Sequence, residues 1–267
     1  MSYRAVSALT IAGSDSGGGA GIQTDLKAFA AHGVHGLSAI AALTAQHTRG
    51  VTAVHVPDPG FLRAQIDACF DDFDVRAVKL GMLATVETIH AVADALAHWK
   101  PVALVLDPVM VATSGARLLA EDALDALRTR LVPMATVLTP NRPEAELLLG
   151  RAIAPGADAE AALGELLALG AEAVLLKGGH LAEVEVIDRF GSGVLRTSFR
   201  HPRLAVEGHG SGCTLAAAIA ANLALGAASE PACRDATAFV AGALAAGYRP
   251  GRGEVVVLDP FWRTRAG

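Results

Sequence analysis

The apolar runs of this chain are short, and most stop at a glycine, a proline or a charged residue. Residues 8–13, 37–43, 51–56, 77–82, 102–106, 136–138 and 173–176 are such runs. Their length and continuous apolar character predict buried strands. Between them, 22–32, 86–98, 121–130, 144–149 and 159–169 carry helical patterns. Asp58-Pro59 supplies an N-cap and a first-turn proline for another helix reaching about Phe70. Strand followed by helix, repeated, predicts a mostly parallel sheet covered on both faces. The pattern changes only at 183–199, where two strand-like runs flank Gly191-Ser192-Gly193 and read as a β-hairpin. Helices resume after Gly212 and run to about Tyr248. No linker, repeat or low-complexity segment interrupts the chain. The expectation is α/β, one three-layer αβα domain over 1–267.

Composition fits that reading. Of 267 residues 52% are hydrophobic and only 4% aromatic, so Ala, Val, Leu and Gly carry the core. Small residues suit helices packed closely on a buried sheet. The net charge of −5, with no basic block, gives no support for a nucleic-acid partner. Cysteines at 69, 213 and 233 are too scattered for a disulfide framework or a metal site. Cys69 and Cys233 fall in helical patterns and read as core thiols. No secretory pattern or membrane-spanning run is found, so a cytoplasmic protein without membrane partners is expected.

The segment Gly208-His209-Gly210-Ser211-Gly212-Cys213-Thr214 leads into an apolar helical run, with Gly226 as its stop. A glycine-rich turn opening a helix leaves N–H groups free to grip an anion. The same helix end favours a thiolate at Cys213. Together these suit phosphoryl transfer. The competing reading is a tight loop beside a small buried thiol. In open α/β sheets ligands bind beyond the carboxyl ends of the strands, and further polar residues lie there. Gly13-Ser14-Asp15-Ser16-Gly17-Gly18-Gly19-Ala20-Gly21 follows the first strand. It matches neither a P-loop nor a G-x-G-x-x-G turn, and reads as a ligand-approaching loop or a flexible turn. Asp25 is placed in the first turn of the next helix, stabilising its dipole or accepting a ligand hydrogen bond. Asp107 ends a strongly apolar strand and either holds Mg²⁺ through water or caps a turn. Asn141 and Glu144 cap a helix or contact metal and nucleotide. Lys177 neutralises a phosphate or is a surface lysine.

Taken in order, these motifs resemble the hydroxymethylpyrimidine/phosphomethylpyrimidine kinases of thiamin biosynthesis, within the ribokinase superfamily. The segments that carry the resemblance include Ala12-Gly13-Ser14-Asp15, Gly18-Gly19-Ala20-Gly21-Ile22-Gln23 and Asp25-Leu26-Lys27. They continue with Ala45-Gln46 and Thr48, Lys79-Leu80-Gly81-Met82-Leu83, Asp107-Pro108-Val109-Met110 and Thr139-Pro140-Asn141 with Glu144. The last are Lys177-Gly178-Gly179-His180 and His209-Gly210-Ser211-Gly212-Cys213-Thr214. His47 stands where the family has asparagine, and the stretch after His180 is short.

The resemblance implies a ribokinase-like fold and ATP with Mg²⁺ as cofactors. It implies phosphorylation of 4-amino-5-hydroxymethyl-2-methylpyrimidine to its monophosphate and then to its diphosphate. It implies Cys213 as the catalytic residue, where sugar kinases place an aspartate base. The N–H groups of Gly210–Cys213, including Ser211 and Gly212, would form an anion hole, with Lys177 on the phosphate. Asp107, Asn141, Glu144 and Gly179 fall on the Mg–ATP side. Gly13, Asp25, Gln46, Met82 and Val109 fall on the pyrimidine side, and a homodimer is the implied assembly. A pyridoxal kinase on the same scaffold and a catalytically silent pyrimidine sensor are the alternatives. Residues 50–59 and 112–118 are the candidate lids.

Overall fold

The computed structural model describes residues 5–111, 118–179, 185–206 and 208–265. The chain begins β1 (Ser7–Asp15), α1 (Gly21–Ala31), β2 (His35–His47), β3 (Gly50–His55), α2 (Pro59–Asp72), β4 (Val75–Leu80), α3 (Val86–Trp99) and β5 (Leu104–Leu106). It continues through α4 (Ala123–Ala126), β6 (Val137–Leu138), α5 (Arg142–Leu149), α6 (Ala157–Leu167), β7 (Ala173–Leu176), β8 (Glu185–Ser192) and β9 (Leu195–Pro202). It closes with β10 (Gly208–His209), α7 (Ser211–Ala224), α8 (Ser229–Ala245), β11 (Val256–Val257) and α9 (Trp262–Arg265).

Nine strands form one sheet in the order β3-β2-β1-β4-β5-β6-β7-β8-β9. From β2 to β7 every pairing is parallel. The chain leaves β1 toward β2 on one side and later returns to β4 on the other. The carboxyl ends of β1 and β4 therefore flank a switch point, where strand connections diverge and leave a crevice.

Side-chain alternation decides which helices cover which face. Leu9, Ile11, Val78, Leu80, Leu104 and Leu106 point into a layer filled by Leu62, Ile66, Ile89, Leu96 and Leu163 of α2, α3 and α6. Ala8, Ala77, Ala103 and Val105 point the other way, against Ala216, Ala217, Ala220 and Ala221 of α7 and Cys233 and Ala236 of α8. Alanine on both surfaces lets α7 lie directly on the sheet. With Leu215 to Ala221 all buried, α7 has no solvent face over that stretch, which is the signature of a core helix. Its first turn is thereby fixed against the ends of the strands.

The three-layer α/β architecture, with a mostly parallel sheet, and the hairpin at the far edge are as expected. The hairpin is β8–β9, turning at Gly193-Val194 rather than earlier. Asp58 caps α2 by accepting from the N–H groups of Gly60 and Phe61. Gly226, with φ +93°, follows the end of α7 as expected. Four differences have physical reasons. β2 and β3 form a second antiparallel hairpin, so the departure from alternation at 183–199 is not the only one. Val102 is exposed, because the strand proper begins at Leu104. The helix expected over 121–130 is one α-turn, which widens to a π-turn over Leu127–Leu131 and tightens to a 3₁₀ turn at Val132–Met134. Pro133 has no N–H to continue it. β10 pairs with β11, tying the C-terminal segment to His209. Of the candidate lids, 112–117 lies outside the described residues. No helix among those described is long and apolar enough to cross a membrane.

Candidate active site

The carboxyl ends of the parallel strands and the first turn of α7 enclose one cleft of about 630 Å³. Its walls hold Gly13, Gln46, Met82, Asp107, Val109, Asn141 and Glu144. Lys177, Gly179, Gly210, Ser211, Gly212 and Cys213 complete it. All but one of the residues singled out from sequence thus converge.

The exception is Asp25. It lies in the second turn of α1, not the first, and is fully buried beneath the cleft rather than in its wall. One carboxylate oxygen accepts from Thr10 Oγ1 at 2.6 Å and from Lys79 Nζ at 2.8 Å. A direct contact from Asp25 to a ligand in the cleft is not available in this arrangement.

Gly210 begins α7 in a left-handed conformation, φ +80°, and a Cβ there would collide with the carbonyl oxygen of Gly19. Only glycine fits. The first i→i−4 bond of the helix is made by the Thr214 N–H to the Gly210 carbonyl. The N–H groups of Ser211, Gly212 and Cys213 precede it and face the cleft mouth, with the positive end of the helix dipole behind them. Across from them is Lys177. A Cβ on Gly212 would lie 3.2 Å from Lys177 Nζ and 3.8 Å from both carboxylate oxygens of Asp107. The missing side chain therefore leaves a gap between N–H donors and a lysine, the chemistry of an anion cradle.

Lys177 Nζ donates to Asp107 Oδ1 at 3.0 Å and lies 3.7 Å from Glu144 Oε2. Its two carboxylate neighbours outweigh burial and hold it well above the usual lysine range, so it is charged. Asn141 and Glu144 form a capping box on α5. The Asn141 side chain accepts from the Glu144 N–H at 2.9 Å, and Glu144 Oε2 accepts from the Asn141 N–H at 2.7 Å. Capping and cleft-lining are thus combined in the same residues. Burial, with Asp107 close by, pushes Glu144 up to about 7 against the pull of Lys177. No cluster of three or more metal-ligating side chains occurs among the described residues.

Cys213 is partly exposed in the cleft. Burial of the sulfur pushes its thiol up to about 12, with Asp107 and Asp25 adding to the rise and Lys79 and the Gly21 N–H opposing it. The thiolate expected from the helix dipole is therefore not the resting state at neutral pH.

The first glycine-rich loop is not an open anion site. Asp15 fills it, accepting from the N–H groups of Gly17 at 2.7 Å, Gly19 at 3.1 Å and Ala20 at 2.9 Å. His209 Nε2 lies 3.0 Å from the same carboxylate and 3.2 Å from Gln46 Nε2. Burial raises the Asp15 pKa, but His209 and the loop N–H groups outweigh it and hold the carboxyl below its usual value. Gln46 Oε1 accepts from Thr44 Oγ1 at 3.0 Å, so its amide is held in place. Asp15 and His209 stand in the sequence motifs without a role of their own, and nothing local signals their pairing. Apolar contact comes from Met82, packed with Val109 and Leu118. Met82 Sδ would be 3.0 Å from a Cβ on Gly13, so that glycine admits the thioether to the cleft floor.

The chain as a whole is similar to known proteins. The family model described as phosphomethylpyrimidine kinase matches residues 15–258. A hydroxymethylpyrimidine/phosphomethylpyrimidine kinase of Rhizobium meliloti is 51% identical over 265 residues, covering 96% of this chain and 98% of its own. A crystal structure of phosphomethylpyrimidine kinase from Clostridium difficile is similar with TM-score 0.79 and 41% identity, over 88% of this chain and 97% of the other. The ADP complex of Bacillus subtilis pyridoxal kinase is similar with TM-score 0.89 and 34% identity, over 97% and 98%.

Proposed function

The chain belongs to the phosphomethylpyrimidine kinase family, and from that premise we propose that it phosphorylates hydroxymethylpyrimidine and then its monophosphate, with ATP as donor, for thiamin synthesis. The observation that carries the reading is the gap at Gly212. It sets three helix-opening N–H groups opposite Lys177 and Asp107, with Cys213 at its edge.

An aminopyrimidine is flat, with a donor amine and acceptor ring nitrogens. The Gln46 amide can meet its edge, while Met82 and Val109 cover a face. The hydroxymethyl group then points at Cys213. In the first transfer the acceptor oxygen bonds to the γ-phosphorus, the bond from that phosphorus to the β-γ bridging oxygen breaks, and ADP leaves. The hydroxyl proton passes to the Cys213 thiolate, the minor form left once the resting thiol has given its own proton to solvent. The N–H groups of Ser211, Gly212 and Cys213 and the Lys177 ammonium stabilise the charge on the moving phosphoryl group. In the second transfer the acceptor is already an anionic phosphate and needs no base. The demand shifts to Lys177 and the N–H groups, which hold two anions together.

Mg²⁺ fits the nucleotide side. Asp107 and Glu144 offer two carboxylates, with no third metal-ligating side chain grouped with them among the described residues, which suits an ion that keeps most of its waters and takes the rest of its shell from phosphates. Bound there, it would neutralise phosphate charge. Asn141 and Gly179 line the same half.

The test is turnover with Mg–ATP and hydroxymethylpyrimidine, its monophosphate, pyridoxal or ribose, with products identified by mass. Conversion of both pyrimidines is expected. Conversion of neither pyrimidine overturns the reading. Phosphorylation of pyridoxal is the second reading, favoured by the higher TM-score of the pyridoxal kinase and opposed by the higher identity of the pyrimidine kinases. Pyridoxal as the much better substrate would establish it.

A further inference from the structure

Lys79 has the side-chain environment least expected of a lysine, and none of the contacts above gives it a task. Its side chain is completely buried, as is that of its partner Asp25. A buried ion pair is a poor stabiliser, because removing two charges from water costs about as much as their attraction returns. The position of the pair supplies another reason for it.

Lys79 lies on the alanine-lined face of β4, the face covered by α7. Its side chain runs along the strand toward the cleft. A Cβ on Gly81 would come 2.8 Å from Lys79 Nζ and 2.9 Å from Ala12 Cβ, and Ala12 is part of the cleft wall. The ammonium is therefore one layer beneath the floor, below the first turn of α7. Thr10 and Lys79 share one oxygen of Asp25, and the other has no hydrogen-bond partner among the described residues. The carboxylate is thus directed at Lys79 and Thr10 rather than at a ligand. Asp25 with Asp107 and Cys213 outweighs burial and holds Lys79 above the usual lysine range, so the charge is permanent.

We propose that Lys79 is a positioning residue of the kinase. Its ammonium, clamped by Asp25 beneath α7, is the fixed positive charge that raises the minor thiolate fraction of Cys213 needed to accept the hydroxymethyl proton. The charged groups that act on Cys213 are Lys79 from β4, which packs beneath α7, Asp25 from α1, and Asp107 after β5 and Lys177 after β7, both beside Gly212. Lys177 is engaged with two carboxylates and is required by phosphate. Lys79 is the cation that no ligand can draw away. Its catalytic consequence rests on the function proposed above, but its effect on Cys213 does not.

The experiment separates the two. Alkylation of Cys213 by iodoacetamide is followed by peptide mass spectrometry from pH 7 to 9.5 in metal-free buffer. Cys69, remote on α2, is the internal control. Below its pKa a thiol reacts in proportion to its thiolate fraction, so a changed pKa displaces the log rate-pH line without changing its slope. Lys79→Gln removes the charge and keeps a donor for Asp25, and Lys79→Met is a second neutral variant should the first fail to fold. An opposite charge at close range moves a pKa by about 1–3 units. Cys213 should therefore alkylate roughly tenfold or more slowly in the neutral variants, with Cys69 unchanged. Lys79→Arg should stay within about threefold of the parent. A folded neutral variant with the parent's Cys213 line overturns the proposal whatever the substrate proves to be. With pyrimidine substrates, the alcohol step should lose kcat and the phosphate step should keep it, whereas a merely structural lysine would lower both alike.

Discussion

Gly212→Ala separates the anion cradle from the fold that carries it. Gly212 is the second residue of α7 and has no positive φ, so alanine is compatible with its backbone. Alanine in a helix is favoured over glycine by about 0.5–1 kcal/mol, with less expected in a first turn. The variant should keep or slightly raise Tm, by no more than about 2–4 °C for a chain of this size. The new methyl would lie 3.2 Å from Lys177 Nζ and 3.8 Å from both oxygens of Asp107. That is the space a phosphoryl oxygen must occupy to meet the N–H groups and the ammonium together. Such an oxygen needs about 2.8 Å to each nitrogen, so the methyl forces it outward by about 1 Å. A misplacement of that size costs about 10²-fold in rate, or about 2.7 kcal/mol of transition-state stabilisation. The assay is ADP release with hydroxymethylpyrimidine, paired with a thermal melt. A variant that melts like the parent and turns over within threefold of it would refute the assignment of the gap to the phosphoryl group. A variant that melts far lower would refute the claim that glycine is there for the ligand rather than the backbone.

Cys213→Ala should lower kcat for the alcohol far more than for the phosphate acceptor, measured separately on the two pyrimidines, because only the alcohol must lose a proton. Equal losses would remove Cys213 from proton transfer. Glu144→Gln preserves the capping box but abolishes a titration near 7. A carboxyl raised in the folded state binds more protons than in the unfolded one, so the parent loses stability as pH rises from about 4.5 to 7. The Tm of Glu144→Gln relative to the parent should climb across that window and level above it, and a flat difference would show that Glu144 ionises normally. Asp15→Ala strips the acceptor from three loop N–H groups and from His209. It should cost about 1–3 kcal/mol in a denaturant melt and raise KM for the pyrimidine more than for ATP; an unchanged KM ratio would detach the loop from the acceptor.

Much of the fold was legible because strand ends in this chain are chemically marked. Asp107-Pro108 and Lys177-Gly178-Gly179 close apolar runs abruptly, and the structure puts each segment at the carboxyl end of a parallel strand. What was not legible lacked such marks. The β2–β3 hairpin turns at Thr48-Arg49, without an Asn-Gly or Asp-Gly signal, so its two strands read as separate units in an alternation. β10 and β11 are two residues each, too short for any period. Val102 is apolar but precedes the ladder, and composition alone does not distinguish a strand from its approach.

The site divides along the same physical line. Cys213, Gly210 and Gly212 could be read because a helix start does its chemistry locally, through consecutive N–H groups. Asp15 and His209 are 194 residues apart, and nothing in either neighbourhood names the other. Lys79 was hidden for the opposite reason. In Ala77-Val78-Lys79-Leu80 the lysine passes as one polar alternation within a run whose apolar residues predict a buried strand. Here β4 lies inside the sheet with helices on both faces, so the same alternation points a charge into the core and obliges it to find Asp25. Once that is granted, the misplacement of Asp25 follows as well. A carboxylate near a helix start has a sufficient local explanation in the dipole, and a sufficient functional one in a ligand. Its actual partner arrives from a strand 54 residues later. Local chemistry thus marks where the phosphoryl group is gripped. The charges that set the protonation of Cys213 belong to the packing of the layers beneath it.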